Sequence, residues 1–67
     1  MDKENVKKRM SEQNITVPML CRELGMDQST YYRKMQKNGE EFSALDLQVF
    51  KRVLSLTDQE ALDFLLS

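Results

Sequence analysis

The stretch from Thr16 to Met35 constrains the fold more than any other part of this chain. Its first half places Val17, Leu20 and Leu24 within about 100° of one another at helical pitch, which predicts an amphipathic helix. Gly25 follows directly, and glycine readily adopts the positive φ that ends a helix and turns the chain. We therefore expect two short helices joined at Gly25, an arrangement typical of a helix-turn-helix.

The second helix of this pair is expected to begin just after Asp27, because aspartate is a good N-cap residue. On this helix Tyr31 and Met35 lie about 40° apart, whereas Ser29 and Arg33 point the opposite way. One face is thus expected to pack against the protein. The other face is available for binding.

Apolar spacing predicts five helices, with short connections and no linker, repeat or low-complexity segment between them. The first is expected from Lys3 to Gln13 and packs through Val6 and Met10. The last two are opened by capping boxes, which are formed by Ser43 with Asp46 and by Thr57 with Glu60. The expected fold is an all-α, compact five-helix bundle that forms one domain over residues 1–67.

The third helix is expected to end near Lys37, because Asn38-Gly39 favours positive φ and supplies a C-cap. An Asn-Gly pair can also close a β-hairpin. The flanking residues do not alternate in polarity as paired strands would, but the hairpin remains an alternative.

The cysteine and histidine content narrows the classes of function. Cys21 is the only cysteine and histidine is absent, so no intramolecular disulfide, metal site or cofactor is expected. We expect Cys21 to be a small buried residue and the protein not to be an enzyme, since no histidine is present to activate the thiol. The charged N-terminus and the lack of an apolar run of roughly 20 residues predict a cytoplasmic protein with no membrane partner.

The net charge of −1 hides a division along the chain. Residues 1–39 hold eight basic and five acidic side chains, whereas residues 40–67 hold two basic and six acidic ones. The basic half contains the exposed helix face, as a polyanionic partner would require. Ordinary solvated charges are the alternative explanation.

The motif resembles the phage repressor and Cro helix-turn-helix family, also called the xenobiotic response element family. That family has a small residue, a glycine four positions later and an apolar residue six positions after the glycine; Cys21, Gly25 and Tyr31 match these places. Two further segments, STYYRKM and LQVFKRVLSLTDQEALDFLL, look like the recognition and final helices of short prophage regulators from Gram-positive bacteria. The resemblance implies a homodimeric transcriptional regulator that binds a double-stranded DNA operator and no small-molecule ligand.

Three residues depart from the family pattern. Val17 stands where the family often has a phosphate-contacting glutamine, so that contact does not carry over. Cys21 replaces the usual alanine, and Tyr31 replaces the usual isoleucine or valine. We therefore expect the two helices to cross at a slightly wider separation.

In this family the second helix of the motif reads base edges in the major groove. Gln28 resembles the family's adenine-contacting glutamine, and the fork of Arg33 matches guanine O6 and N7. Ser29 can contact either base, and Tyr32 is expected to touch a sugar, a thymine methyl group or a phosphate. The alternatives are a solvated Gln28 and an Arg33 that is free or paired with Glu23.

Phosphate contacts are assigned to residues around this helix, namely Thr16, Lys34, Lys37 and Asn38, and Lys8 on the first helix is a further candidate. The predicted function is sequence-specific binding of double-stranded DNA. The main alternative is a protein-interaction module, such as an antirepressor or a small antitoxin, in which the same helices bind a protein.

The last two helices are the most apolar. The fourth is expected to be central because it is apolar on two sides, with Leu47, Phe50 and Leu54 on one and Leu45, Val49 and Val53 on the other. The fifth carries more apolar surface than one core contact needs. We assign Phe64 and Leu65 to the interface of a homodimer, with Leu62 toward the core, and leave open the reverse orientation with Leu62 outward.

Overall fold

Asp2 caps the first of five helices in residues 1–66, the part of the protein that the computed structural model describes. The helices are α1 (Lys3–Glu12), α2 (Val17–Leu24), α3 (Gln28–Gln36), α4 (Ala44–Val53) and α5 (Asp58–Leu65). No strand occurs within these 66 residues. The predictions of an all-α chain and of five helices with short connections are confirmed.

Helices α3, α4 and α5 begin at the capping residues predicted from the sequence, and α2 begins after the N-cap Thr16. The Thr30 N–H donates to the Asp27 carboxylate at 3.1 Å, and the Met19 N–H donates to the Thr16 hydroxyl at 3.3 Å. Complete capping boxes are formed by Ser43 with Asp46 and by Thr57 with Glu60. Each cap satisfies amides that the first turn of a helix leaves unpaired, so these side chains define where the helices start.

Positive φ values end α2 and α3 where glycine was expected to do so. Gly25 has φ 69° and ψ 31°, and the next N–H, that of Met26, donates to the Cys21 carbonyl at 3.2 Å. Asn38 and Gly39 have φ values of 58° and 72° and follow the end of α3 at Gln36. The pair therefore terminates a helix, and the β-hairpin alternative is wrong.

Buried side chains from all five helices and two connections form one core, made of Val6, Met10, Leu20, Cys21, Tyr31, Met35, Phe42, Phe50, Leu54, Leu56 and Leu65. The predicted burial of Val6, Met10, Tyr31 and Cys21 is confirmed. Helix α4 packs against α2 and buries Phe50 completely, as expected for its first apolar side. Its second apolar side is only partly covered, since Leu45 in the first turn is 72% exposed.

Arg9 joins α1 to the end of α4 and to α5. Its guanidinium donates to the carbonyl oxygens of Leu54 at 3.2 Å and Ser55 at 3.3 Å, and it pairs with the Glu60 carboxylate. The same group lies 5.7 Å from the centre of the Phe64 ring. One partly buried cation thus ties the two ends of the chain together.

The orientation of α5 is opposite to the one first assigned. Leu65 is 6% exposed and Phe64 packs against the core beneath Arg9, whereas Leu62 and Leu66 are 53% and 64% exposed. The outward placement of Phe64 and Leu65 is therefore wrong. The reason is that α5 lies against α1, where the Asp2 N–H also donates to the Phe64 carbonyl at 2.7 Å. Dimerisation through α5 remains a prediction, with Leu62 as the outward residue.

None of the helices in residues 1–66 combines the length and apolar character needed to cross a membrane.

Candidate nucleic-acid interface

Helix α3 divides sharply into a packed side and an exposed side. Tyr31 and Met35 are buried in the core, and Arg33 points about 180° away from the midpoint between them. The predicted base-reading residues are all exposed, and they are Gln28, Ser29, Tyr32 and Arg33. They lie within a sector about 140° wide at helical pitch. The fold thus brings the four residues to one accessible face of one helix.

An aromatic cluster on the buried side of α3 holds this helix against the core. The Tyr31 ring centre is 6.0 Å from that of Phe42 and 6.4 Å from that of Phe50, and the latter two rings are 5.0 Å apart. The Tyr31 hydroxyl donates to the Met10 sulfur at 3.9 Å. Burial raises the pKa of Tyr31 to about 12, so the phenol is neutral at physiological pH. Tyr31 is therefore an anchor of α3, as predicted, and not part of its exposed face.

The guanidinium of Arg33 is exposed, and no ion pair involves it among residues 1–66. Glu23, the partner considered for it from the sequence, pairs instead with Arg52 of α4 at 3.5 Å. The interpretation of Arg33 as a partner of Glu23 is therefore wrong. Its fork of N–H donors faces solvent and is available to a ligand.

The predicted phosphate-binding residues differ in their exposure to solvent and in the contacts that they already make. Thr16 and Asn38 are exposed, although the Thr16 hydroxyl is already the cap of α2. Lys34 is half-buried, and its ammonium lies 5.7 Å from the centre of the Phe42 ring. A phosphate that contacts Lys34 must therefore approach from the side of α3 nearest Phe42.

Lys37 is held by a carboxylate. Its ammonium pairs with Glu41 at 3.0 Å. The hydrogen bond and charge of Lys37 lower the pKa of Glu41, and the charges of Arg33 and Lys34 add to this effect. Glu41 is ionised at neutral pH, so its negative charge opposes a phosphate that approaches Lys37.

A groove of about 440 Å³ runs between α1 and α3. Its floor includes the side chains of Met10 and Met35, and its rims carry Lys7 on α1 and Tyr32 and Gln36 on α3. Sequence reasoning did not assign Lys7 or Gln36. The i, i+4 spacing of Tyr32 and Gln36 could have indicated that both share a face, but nothing local shows that α1 lies beside them.

Two further observations concern the metal-ligating side chains and the thiol of Cys21. Within residues 1–66, no three histidine, cysteine, aspartate or glutamate side chains are grouped closely enough to hold a metal ion. Burial, together with the charge of Asp27, raises the pKa of the Cys21 thiol. A protonated, buried thiol is a poor nucleophile, so Cys21 behaves as the small core residue predicted for it.

Comparisons of the chain with protein-family models, with curated protein sequences and with solved structures each give no significant match. The resemblance to the repressor and Cro family therefore stays a prediction.

Proposed function

We propose that this chain binds a specific sequence of double-stranded DNA as a homodimer and regulates transcription in the cytoplasm, as members of the repressor and Cro family do. The observation that carries the proposal is the division of α3. Tyr31 and Met35 hold the helix in the core, while polar and cationic side chains occupy the opposite face. Helix α3 contains two basic residues and no acidic one, which suits a polyanionic partner.

In this proposal α3 lies in the major groove, which is about 12 Å wide and admits an α-helix. Arg33 donates two hydrogen bonds to guanine O6 and N7, and the Gln28 amide donates to and accepts from adenine. Ser29 reads a neighbouring base edge, and Tyr32 contacts the sugar or the thymine methyl group beside it. The turn at Gly25 sets the angle between α2 and α3, so it decides how α3 enters the groove.

Contacts to the phosphates hold this helix in register. Lys34, Lys37 and Asn38 lie at the C-terminal end of α3 and beyond it, and Thr16 lies at the start of α2. These two groups of residues lie at different ends of the α2–α3 pair. They are therefore suited to contact the two sugar-phosphate backbones that border the major groove.

A single recognition helix contacts too few base pairs to select one site, so we propose that two copies bind together through α5. Leu62 and Leu66 are exposed on α5, and a twofold axis there places the same patch of each copy in contact. Two recognition helices about 34 Å apart then match a palindromic operator.

The alternative function, protein interaction, is favoured by one observation. Leu45, Leu62 and Leu66 are exposed in the acidic part of the chain, where an apolar protein surface could bind them. Fluorescence anisotropy with labelled random-sequence duplex separates the two functions. A DNA-binding protein retains duplex at about 50 mM salt and releases it steeply as salt rises, whereas failure to retain duplex at low salt contradicts the proposal and favours a protein partner.

A further inference from the structure

We propose that Lys7, flanked by Lys3 and Ser11, forms a phosphate-contact row on α1 that holds the DNA backbone along the α1–α3 groove. This inference depends on the proposed DNA-binding function and adds to it a row of donors on α1, the helix on which the sequence analysis considered only Lys8. The occupant is the sugar-phosphate backbone of the same duplex that α3 reads.

The three residues are spaced four apart, so they form one row along successive turns of α1. All three line the groove, and Tyr32 and Gln36 of α3 line its other side. Tyr32 is also on the exposed face of α3. The row therefore lies beside the proposed base-reading surface, where a backbone that flanks the major groove would pass.

The charge of the row is complementary to a phosphate backbone. Lys7 is exposed, and neither lysine forms an ion pair in the part of the chain that the structure describes. Two ammonium groups and a hydroxyl are donors commonly used to hold phosphates. The floor between the rims includes Met10 and Met35, whose apolar surface can cover a deoxyribose. Because that surface also displaces water, it reduces the screening between a lysine and a phosphate.

Lys8 provides a matched control within the same helix. It has the same charge as Lys7, is also exposed and is its immediate neighbour, but it lies about 100° further round α1 and does not line the groove. Lys8 had been considered as a phosphate contact from the sequence. The groove favours Lys7 instead, so substituting the two lysines separates a positioned contact from a general loss of positive charge.

The test compares Lys7→Ala and Lys8→Ala by fluorescence anisotropy, on the operator obtained by in vitro selection and on a mutated operator, between 50 and 200 mM salt. Each lost phosphate contact lowers the slope of log K against log salt by about 0.9, and the homodimer loses one contact per protomer, so the slope should fall by about 1.8. The affinity ratio of wild type to Lys7→Ala should therefore be about 12-fold larger at 50 mM than at 200 mM salt, and equal on both duplexes. Lys8→Ala should keep the wild-type slope.

The outcomes distinguish this inference from the function on which it depends. If the wild-type protein binds duplex but Lys7→Ala keeps the wild-type salt slope, the groove has no role in binding and the proposed function is unaffected. The same conclusion follows if Lys7→Ala and Lys8→Ala have equal effects. A wild-type protein that retains no duplex overturns both. Circular dichroism of Lys7→Ala and of Lys7→Gln checks that the fold is unchanged.

Discussion

Tyr31 and Tyr32 are neighbours in the chain whose rings meet edge to face, with centres 5.5 Å apart and planes at 78°, and yet they belong to opposite environments. Tyr31 is 3% exposed and Tyr32 is 51% exposed. The buried ring holds α3 against the core, and its contact restrains the exposed one. Core packing thus fixes the position of the exposed face of α3. A binding surface must be held rigidly in this way to discriminate between ligands.

Replacing Arg33 should affect sequence discrimination. Because Arg33 is exposed and forms no ion pair within residues 1–66, we expect Arg33→Ala to weaken binding to the preferred operator by roughly 1–3 kcal/mol per half-site and to relax the preference at one base pair in each half-site. Lys34→Ala should weaken binding to all duplexes similarly and lower the salt slope by about one for each protomer bound. Anisotropy on matched and mutated operators measures both. Equal losses from Arg33→Ala on every sequence would exclude the base-reading role.

Removing the charge of Glu41 should strengthen DNA binding. Glu41 pairs with Lys37, whose hydrogen bond and charge lower the pKa of the carboxyl, and both groups are charged at neutral pH. Glu41→Gln frees Lys37 for a phosphate, so we expect duplex affinity to rise about two- to fivefold, in the range of one exposed ion pair. Glu40→Gln makes the same charge change at an exposed neighbouring residue. If both variants gain equally, the effect is one of net charge and Lys37 is not a phosphate contact.

Substitution of Gly25 should cost stability through the backbone alone. A Cβ at Gly25 meets no atom within 4 Å, but its φ of 69° is unfavourable for most residues with a side chain. We expect Gly25→Val to destabilise the fold by more than about 1 kcal/mol, because β-branched residues are outliers in this region, and Gly25→Asn to be better tolerated. Thermal unfolding should show a loss of at least about 4 °C for the valine variant. Equal midpoints for wild type and Gly25→Val would mean that α2 and α3 are not joined in this conformation.

The exposed and buried leucines of α5 should respond differently to charge. Leu62 is exposed, so Leu62→Glu and Leu62→Lys are expected to keep the helical circular dichroism spectrum and to shift sedimentation from dimer to monomer. Leu65→Glu places a carboxylate in the core and should unfold the protein. If Leu62→Glu and Leu62→Lys both give monomers, the cause is the loss of an apolar contact, because the two variants carry opposite charges. A wild-type protein that sediments as a monomer both free and on DNA contradicts the α5 dimer.

Local signals predicted the helices well, because caps and glycine turns act over a few residues. The predicted cap hydrogen bonds form at Asp27 and Thr57, and the predicted positive φ occurs at Gly25. These features depend only on nearby backbone amides and on the φ of one residue. The apolar stripe of α2 also faces the core, with Leu20 buried and Val17 and Leu24 partly buried, because helical spacing alone decides which residues share a face.

Features that depend on packing between distant segments were not predictable in the same way. Leu62 and Leu65 are equally apolar, and only the contact of α5 with α1 decides which of them is buried. Phe42 lies in a connection, where no periodicity marks it as core. The pairing of Glu23 with Arg52 and the groove beside Lys7 likewise depend on which helices are neighbours.

The central claim, sequence-specific recognition of double-stranded DNA, is tested most directly by in vitro selection of wild-type protein on random duplex. The account predicts enrichment of one twofold-symmetric sequence, with half-sites centred about one helical turn, ~34 Å, apart. Repeating the selection with the Arg33→Ala variant should remove the preference at one position in each half-site. A pool that stays random after repeated rounds would contradict the account, whether or not the protein retains DNA at low salt.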